Sequence, residues 1–185
     1  MLALAIQYEE QLQECYRNTL MDDRYRFYLQ GIRPYFIPLE NDDAHKLQYV
    51  SIGPYGNVLG YFECNLNRDT NVAYNFNTMR FVKEHDPEFS RDLYRFMIDT
   101  VFVRYGVDKI VFYVVIGNPV EGFYDRLCSK YGGRIVGTFK RDVRINGEMH
   151  DVKYYELLRE VVLPRAKAVT EDTYRLDTGG VNISG

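Results

Sequence analysis

The chain has 185 residues, 46% hydrophobic and 26% charged, with 23 Lys and Arg against 26 Asp and Glu for a formal net charge of −3. That length suits one domain with a sizeable core, and the composition excludes a disordered chain. No basic excess points to nucleic acid. The longest apolar run, Ile110 to Ile116, is far short of the ~20 residues of a membrane-spanning helix.

The N-terminal Met1 to Ile6 is apolar but brief and lacks the basic flank of a secretory signal, so a cytoplasmic protein is expected. Residues from about Tyr8 to Tyr28 read as helix, with Leu12, Cys15, Tyr16, Leu20, Tyr25, Tyr28 and Leu29 at three- and four-residue spacing. Asp22-Asp23 can interrupt it and start a second helix, which Gly31 ends. Pro34 and Pro38 keep the next segment extended, and Asn41-Asp42-Asp43 is a turn. Three strands follow as an antiparallel meander: His45 to Ile52, Val58 to Asn65 and Val72 to Val82. In the third, Phe76, Thr78, Arg80 and Val82 share one face and Asn75, Asn77, Met79 and Phe81 the other.

An amphipathic helix is predicted from about Phe89 to Tyr105, capped by Ser90 and stopped at Gly106. Lys109 to Ile116 is apolar after its first residue, so a strand buried on both faces with a parallel neighbour is expected. A short helix, Val120 to Lys130, comes next. Strands Arg134 to Ile145 and Glu148 to Leu158 then form a hairpin, with Asn146-Gly147 suited to a type I′ turn. Lys140, Arg141 and Arg144 read as a solvated strand face. After Arg159 the periodicity fades around Pro164 and Gly179-Gly180, so residues 1–160 are expected to form a single domain and 161–185 a partly irregular tail. Cys15, Cys64 and Cys128 form no CxxC pair, and His45, His85 and His150 are scattered, so neither a disulfide framework nor a metal site is expected.

The order of a buried strand, Gly117-Asn118-Pro119, a short helix bearing Tyr124, the turn Tyr131-Gly132-Gly133 and a long hairpin resembles the C-terminal half of the GNAT superfamily of N-acyltransferases. The resemblance covers roughly residues 8–160, with the family's first strand missing or reduced to Leu2 to Ile6. It implies an α/β (mixed α+β) fold. Its central mixed sheet of about six to seven strands, flanked by about four helices, splays open between Val72–Val82 and Lys109–Ile116. It also implies acetyl-CoA in that splay and transfer of the acetyl group to a primary amine on a small molecule or peptide, with no nucleic acid or membrane partner. A homodimer is a candidate assembly.

The family's glycine-rich phosphate turn corresponds to Lys83-Glu84-His85-Asp86-Pro87-Glu88-Phe89-Ser90-Arg91-Asp92, which has no glycine. The resemblance assigns the CoA diphosphate to the N–H groups of Phe89, Ser90, Arg91, Asp92 and Leu93, with Arg91 available to pair with phosphate. It assigns pantetheine pairing and an oxyanion donor to the strand N–H groups of Met79, Phe81 and Val82. Asn118 either contacts the pantetheine arm or caps the helix ahead of Pro119. Tyr124 either protonates the departing thiolate or packs in the core. Glu63 is the nearest general-base candidate, against a reading as a solvated strand residue. Cys64 and Cys128 have no neighbour that would activate a thiolate. Two functions stand: an acetyl-CoA-dependent N-acetyltransferase, or a catalytically inactive binding module on the same fold.

Overall fold

The structure, a computed structural model, describes residues 1–28, 35–41, 43–82 and 86–178, with side chains through residue 168. The stop at Gly31, the residues Leu29, Pro34 and Asp42, the segment Lys83-Glu84-His85 and Gly179-Gly180 lie outside the described residues. Among the described residues seven strands make one sheet in the order β1-β2-β3-β4-β5-β7-β6. These are β1 Leu2–Leu4, β2 Lys46–Ile52, β3 Val58–Asn67, β4 Val72–Arg80, β5 Lys109–Val115, β6 Arg134–Ile145 and β7 Glu148–Leu158.

The expected helix over residues 8–28 is broken. A 3-10 turn Ala5–Tyr8 leads into α1, Glu9–Arg17, and a second 3-10 segment, Asp23–Tyr28, follows. The break is local chemistry: the Asp22 carboxylate accepts from the Arg24 N–H at 3.0 Å and the Asp22 carbonyl from Tyr25 N–H at 2.9 Å. Helix α2, Pro87–Arg95, runs into a wider π-type stretch, Phe96–Arg104. Helix α3 is Glu121–Tyr131, ended by Gly132 at φ +76°.

Residues 161–178 of the expected tail are helical, within helix α4, Arg159–Thr178. Val162 and Ala166 of α4 are buried in the main core, so the packed unit continues past Arg159. Pro164 hid this helix from the sequence pattern. Its missing N–H forfeits only the bond to the Glu160 carbonyl, and packing offsets that loss.

Strands β4 and β5 are parallel but pair only at Val72↔Lys109 and Ala73↔Ile110. Beyond Ala73 they part. The cause sits two residues on. The β3–β4 register slips between Glu63↔Asn77 and Asn65↔Tyr74, leaving one extra residue on β4, and Asn75 takes a left-handed φ of 51°. Such a bulge bends its strand and ends pairing. The two half-sheets are tied instead by rings on the helix-covered face. Phe76 of β4 lies 5.4 Å from Phe96 and 6.1 Å from Phe112 of β5, and Phe112 stacks on Tyr155 of β7 at 5.0 Å. Contacts of this kind add about 0.5–1.5 kcal/mol each beyond area burial.

β5 is not buried on both faces as expected. Ile110, Phe112 and Val114 are buried against the helices, whereas Val111 and Tyr113 are half-buried. On the opposite face the second core cluster, with Leu12, Tyr16, Tyr25, Val50, Tyr61 and Met79, draws its β-strand members from β2–β4. The β6–β7 hairpin has the predicted bounds, with Asn146 at φ 49° and Gly147 at φ 87°, as a type I′ turn requires. Among the described residues no helix is long and apolar enough to cross a membrane, and no group of three or more His, Cys, Asp or Glu side chains is placed to hold a metal.

Candidate active site

The splay holds a cavity of about 330 Å³ whose lining includes Glu63, Asn75, Thr78, Asn118 and Tyr124. Three sequence-chosen residues from three elements, Glu63, Asn118 and Tyr124, thus meet in one space. Tyr124 is buried on α3 with its ring edge-on to Phe112 at 4.9 Å, and its hydroxyl lies 3.1 Å from the Thr78 hydroxyl of β4. Burial pushes the phenol above its ordinary range, partly opposed by the Thr78 hydrogen bond. It is therefore a neutral proton-bearing group throughout the physiological range.

Helix α3 is held in place through its N-terminal half. The Asn118 side chain accepts from Val120 N–H at 3.1 Å, and its carbonyl accepts from Glu121 N–H at 2.9 Å. Asn118 thus closes the turn that leads into α3, whose N-cap residue is Val120, and it also lines the cavity. On the sheet side Lys153 of β7 pairs with Glu121 and, at 3.2 Å, with Asp125, and the Tyr155 hydroxyl donates to Asp125 at 2.8 Å. These bonds hold the Glu121 and Asp125 carboxyls below their ordinary range, Glu121 chiefly through Lys153 and Asp125 chiefly through Tyr155.

Glu63 is partly buried and engaged three ways. It accepts from Tyr61 at 2.8 Å and from Asn77 at 3.4 Å, and pairs with Lys46 at 3.2 Å. Asn65, Asn75 and Asn77 line the cavity beside it. Sequence reasoning missed Thr78 and Asn75. A hydroxyl sharing a strand face with Phe76 was the available signal for Thr78. Asn75 carried only the general tolerance of Asn for left-handed backbone.

The strand amides are distributed differently from the expectation. Phe81 N–H donates to the Leu59 carbonyl at 2.9 Å, and Met79, opposite Tyr61 in the same phase of the antiparallel ladder, also turns its amide to β3. The backbone groups facing the splay belong to Thr78 and Arg80. Their carbonyls accept from the phenols of Tyr28 and, at 2.7 Å, Tyr25, which leaves their N–H groups on the open side. Val82 follows the end of β4 and is half-buried.

Helix α2 begins earlier than expected, and Asp86 rather than Ser90 caps it. The Asp86 carboxylate accepts from Glu88 N–H at 2.8 Å and Phe89 N–H at 3.2 Å, and Pro87 supplies the first helical residue. Ser90 N–H closes on the Asp86 carbonyl at 3.2 Å. Arg91, Asp92 and Leu93 lie inside the helix, where the ladder takes up their amides. The Arg91 side chain pairs with Glu88. The Asp92 side chain is buried against the sheet, accepting from Ser51 at 2.8 Å and pairing with the Met1 ammonium at 2.9 Å. Burial pushes the Cys64 thiol up and the Cys128 thiol up to about 11, so neither is a thiolate near neutrality.

No family model and no curated protein matches this chain. Solved structures do. A spermidine/spermine N-acetyltransferase SpeG from Vibrio cholerae, in complex with manganese ions, is 25% identical over 67% of this chain and 71% of its own, with a TM-score of 0.57. A mutant form of the V. cholerae spermidine N-acetyltransferase aligns over 90% of this chain and 99% of its own, at 20% identity and a TM-score of 0.66. The V. cholerae enzyme with CoA and spermine aligns over 88% and 97%, at 20% identity and 0.64. The fold is that of the GNAT superfamily. Within this frame the splay between β4 and β5 leaves a cavity with Tyr124 of α3 and Thr78 of β4 on its wall. The N-terminus of α2, where the frame would place a diphosphate, is closed by Asp86.

Proposed function

We propose that this protein transfers an acetyl group from a CoA-type thioester to a primary amine. One observation carries the reading: the splay cavity brings the buried Tyr124 hydroxyl to 3.1 Å from Thr78, beside Asn118 and the open edge of β4. The donor supplies an activated acyl group. Transfer forms a C–N bond and breaks a C–S bond, so the amine gives up a proton and the departing sulfur takes one. Tyr124 is the hydrogen-bond donor for that sulfur, oriented by Thr78. The Thr78 and Arg80 N–H groups are the edge donors for the amide-bearing arm and the acyl oxygen.

For the acceptor we favour an oligoamine. The V. cholerae structures of the same fold are spermidine/spermine acetyltransferases, and one holds spermine. In this chain Glu63 and the side-chain oxygens of Asn65, Asn75 and Asn77 are acceptors for a second, charged nitrogen while the reacting one is neutral. A peptide amine is the other acceptor class. For a homodimer the contact face would be the edge strand β6, where Ile135, Val136 and Phe139 are exposed; sedimentation of the unmodified chain tests this.

The test of activity is thiol release from acetyl-CoA and from S-acetylpantetheine with spermidine, spermine, n-butylamine and a lysine peptide. Turnover above the amine-free rate, fastest with spermidine or spermine, is expected. No turnover with any pair would overturn the enzyme reading in favour of the inactive binding module, which the closed α2 N-terminus favours.

A further inference from the structure

Resting on the acyl-transfer reading, we propose that Asp86 is a specificity-determining residue that turns donor recognition away from the nucleotide diphosphate and onto the pantetheine arm. A helix N-terminus holds a diphosphate with free N–H groups and a partial positive charge. Here both are occupied by the chain itself. Of the first four amides of α2, that of Pro87 does not exist, those of Glu88 and Phe89 are bonded to the Asp86 carboxylate, and that of Ser90 closes the first helical turn. The charges within that turn are Asp86 and Glu88, and Arg91 is already paired with Glu88. The residues just ahead, Lys83, Glu84 and His85, sum to a formal charge of zero with His neutral. A diphosphate brought here would displace a cap and face a fixed carboxylate.

The other end of the splay has the opposite character. A pantetheine arm is neutral and carries two amides, so a carboxylate at α2 does not repel it. The N–H groups of Thr78 and Arg80 lie on the β4 edge away from β3, and the cavity wall includes the paired hydroxyls of Tyr124 and Thr78. The donor class is thus an acyl-pantetheine thioester, of which acetyl-CoA is one member and a nucleotide-free phosphopantetheine another.

The experiment is calorimetry of the unmodified protein with pantetheine, 4′-phosphopantetheine and coenzyme A, alongside turnover with their acetyl thioesters. It is repeated on Asp86→Ser and Asp86→Asn, which keep a capping oxygen and lose the charge. Thermal melts confirm that both variants fold, and two different caps guard against one failing. Affinities within about tenfold across the three ligands are expected for the unmodified protein. Both variants should tighten coenzyme A by about tenfold while leaving pantetheine unchanged. Coenzyme A binding about 100-fold tighter than pantetheine, or variants that leave coenzyme A binding unchanged or weaker, would overturn the proposal while sparing acyl transfer. Binding of none of the three would overturn both.

Discussion

Replacing Tyr124 with Phe removes one oxygen atom and little else. The ring keeps its contacts with Phe112 at 4.9 Å, Phe123 at 5.6 Å and Tyr155 at 6.1 Å. The loss is one buried neutral hydrogen bond, to Thr78 at 3.1 Å, at about 1 kcal/mol of stability. Donor affinity should be unchanged, because the hydroxyl matters only as sulfur leaves. General acids contribute about 100- to 10,000-fold. Burial raises the Tyr124 phenol, whereas the departing thiol has an ordinary pKa near 8.5. Full proton transfer is therefore uphill and hydrogen-bond donation dominates, which places the loss in kcat at the lower end, about 100-fold or 2.7 kcal/mol of barrier. Thr78→Val keeps the strand shape and the phenol but loses the orienting bond, so it should cost about tenfold. The assay is thiol release at saturating donor and amine, with donor affinity measured separately by calorimetry. A kcat within twofold of the parent for Tyr124→Phe, or an equal fall in donor affinity, would show that Tyr124 only packs.

Three further outcomes follow from the packing and the charges. A Cβ at Gly60 would lie 2.2 Å from the Phe89 ring and 2.6 Å from the Met79 carbonyl, so Gly60→Ala should cost about 3 kcal/mol and lower Tm by about 6–12 °C; an unchanged Tm would refute the packing of α2 on β3. Glu63→Gln should raise KM for spermidine a few-fold with little change in kcat, because the carboxylate is already held by Lys46, Tyr61 and Asn77; a collapse of kcat that higher pH rescues would restore Glu63 as a base. Burial raises the phenols of Tyr25, Tyr61, Tyr113, Tyr124 and Tyr155, so above about pH 10 the unfolded chain releases protons the folded chain keeps, and stability falls as pH rises. Glu121 and Asp125 are lowered, so their contribution is present above about pH 4 and is lost as pH falls through their folded values. The raised thiols of Cys64 and Cys128 begin the alkaline fall in stability from about pH 8.5, so melting curves should be flat only between about pH 5 and pH 8, and a Tm that climbed above pH 10 would contradict the buried phenols.

The legible parts of this fold are those fixed by local chemistry. Asn146-Gly147 could adopt the paired positive φ values of a type I′ turn, and the hairpin around it has the predicted bounds. The start of α2 was equally legible in Asp86-Pro87-Glu88, a cap followed by a first-turn proline, although Ser90 drew the assignment. Other features depend on distant partners. Helix α4 forms through the burial of Val162 and Ala166 despite Pro164. The half-burial of Val111 and Tyr113 depends on which face of β5 the helices cover. Tyr124, Asn118 and Glu63 could each be picked from sequence, but their meeting depends on the bulge at Asn75, which nothing local announces.

The bulge and the cap act on opposite ends of one strand. At the start of β4, Asn75 breaks the pairing with β5 and so creates both the cavity and an open strand edge; without it the splay would close into an ordinary parallel pair. Beyond the end of β4, Asp86 closes the helix that a phosphate would otherwise cap. In the proposed reading the first feature serves the chemistry, since Thr78 meets Tyr124 there, and the second bears only on which donor is held. Because they share no side chain and no hydrogen bond, changes at Asp86 should move donor affinity without moving kcat, and changes at Thr78 or Tyr124 should do the reverse. That separation follows from distance along the strand, and under the proposal it would make donor choice a property of one carboxylate rather than of the fold.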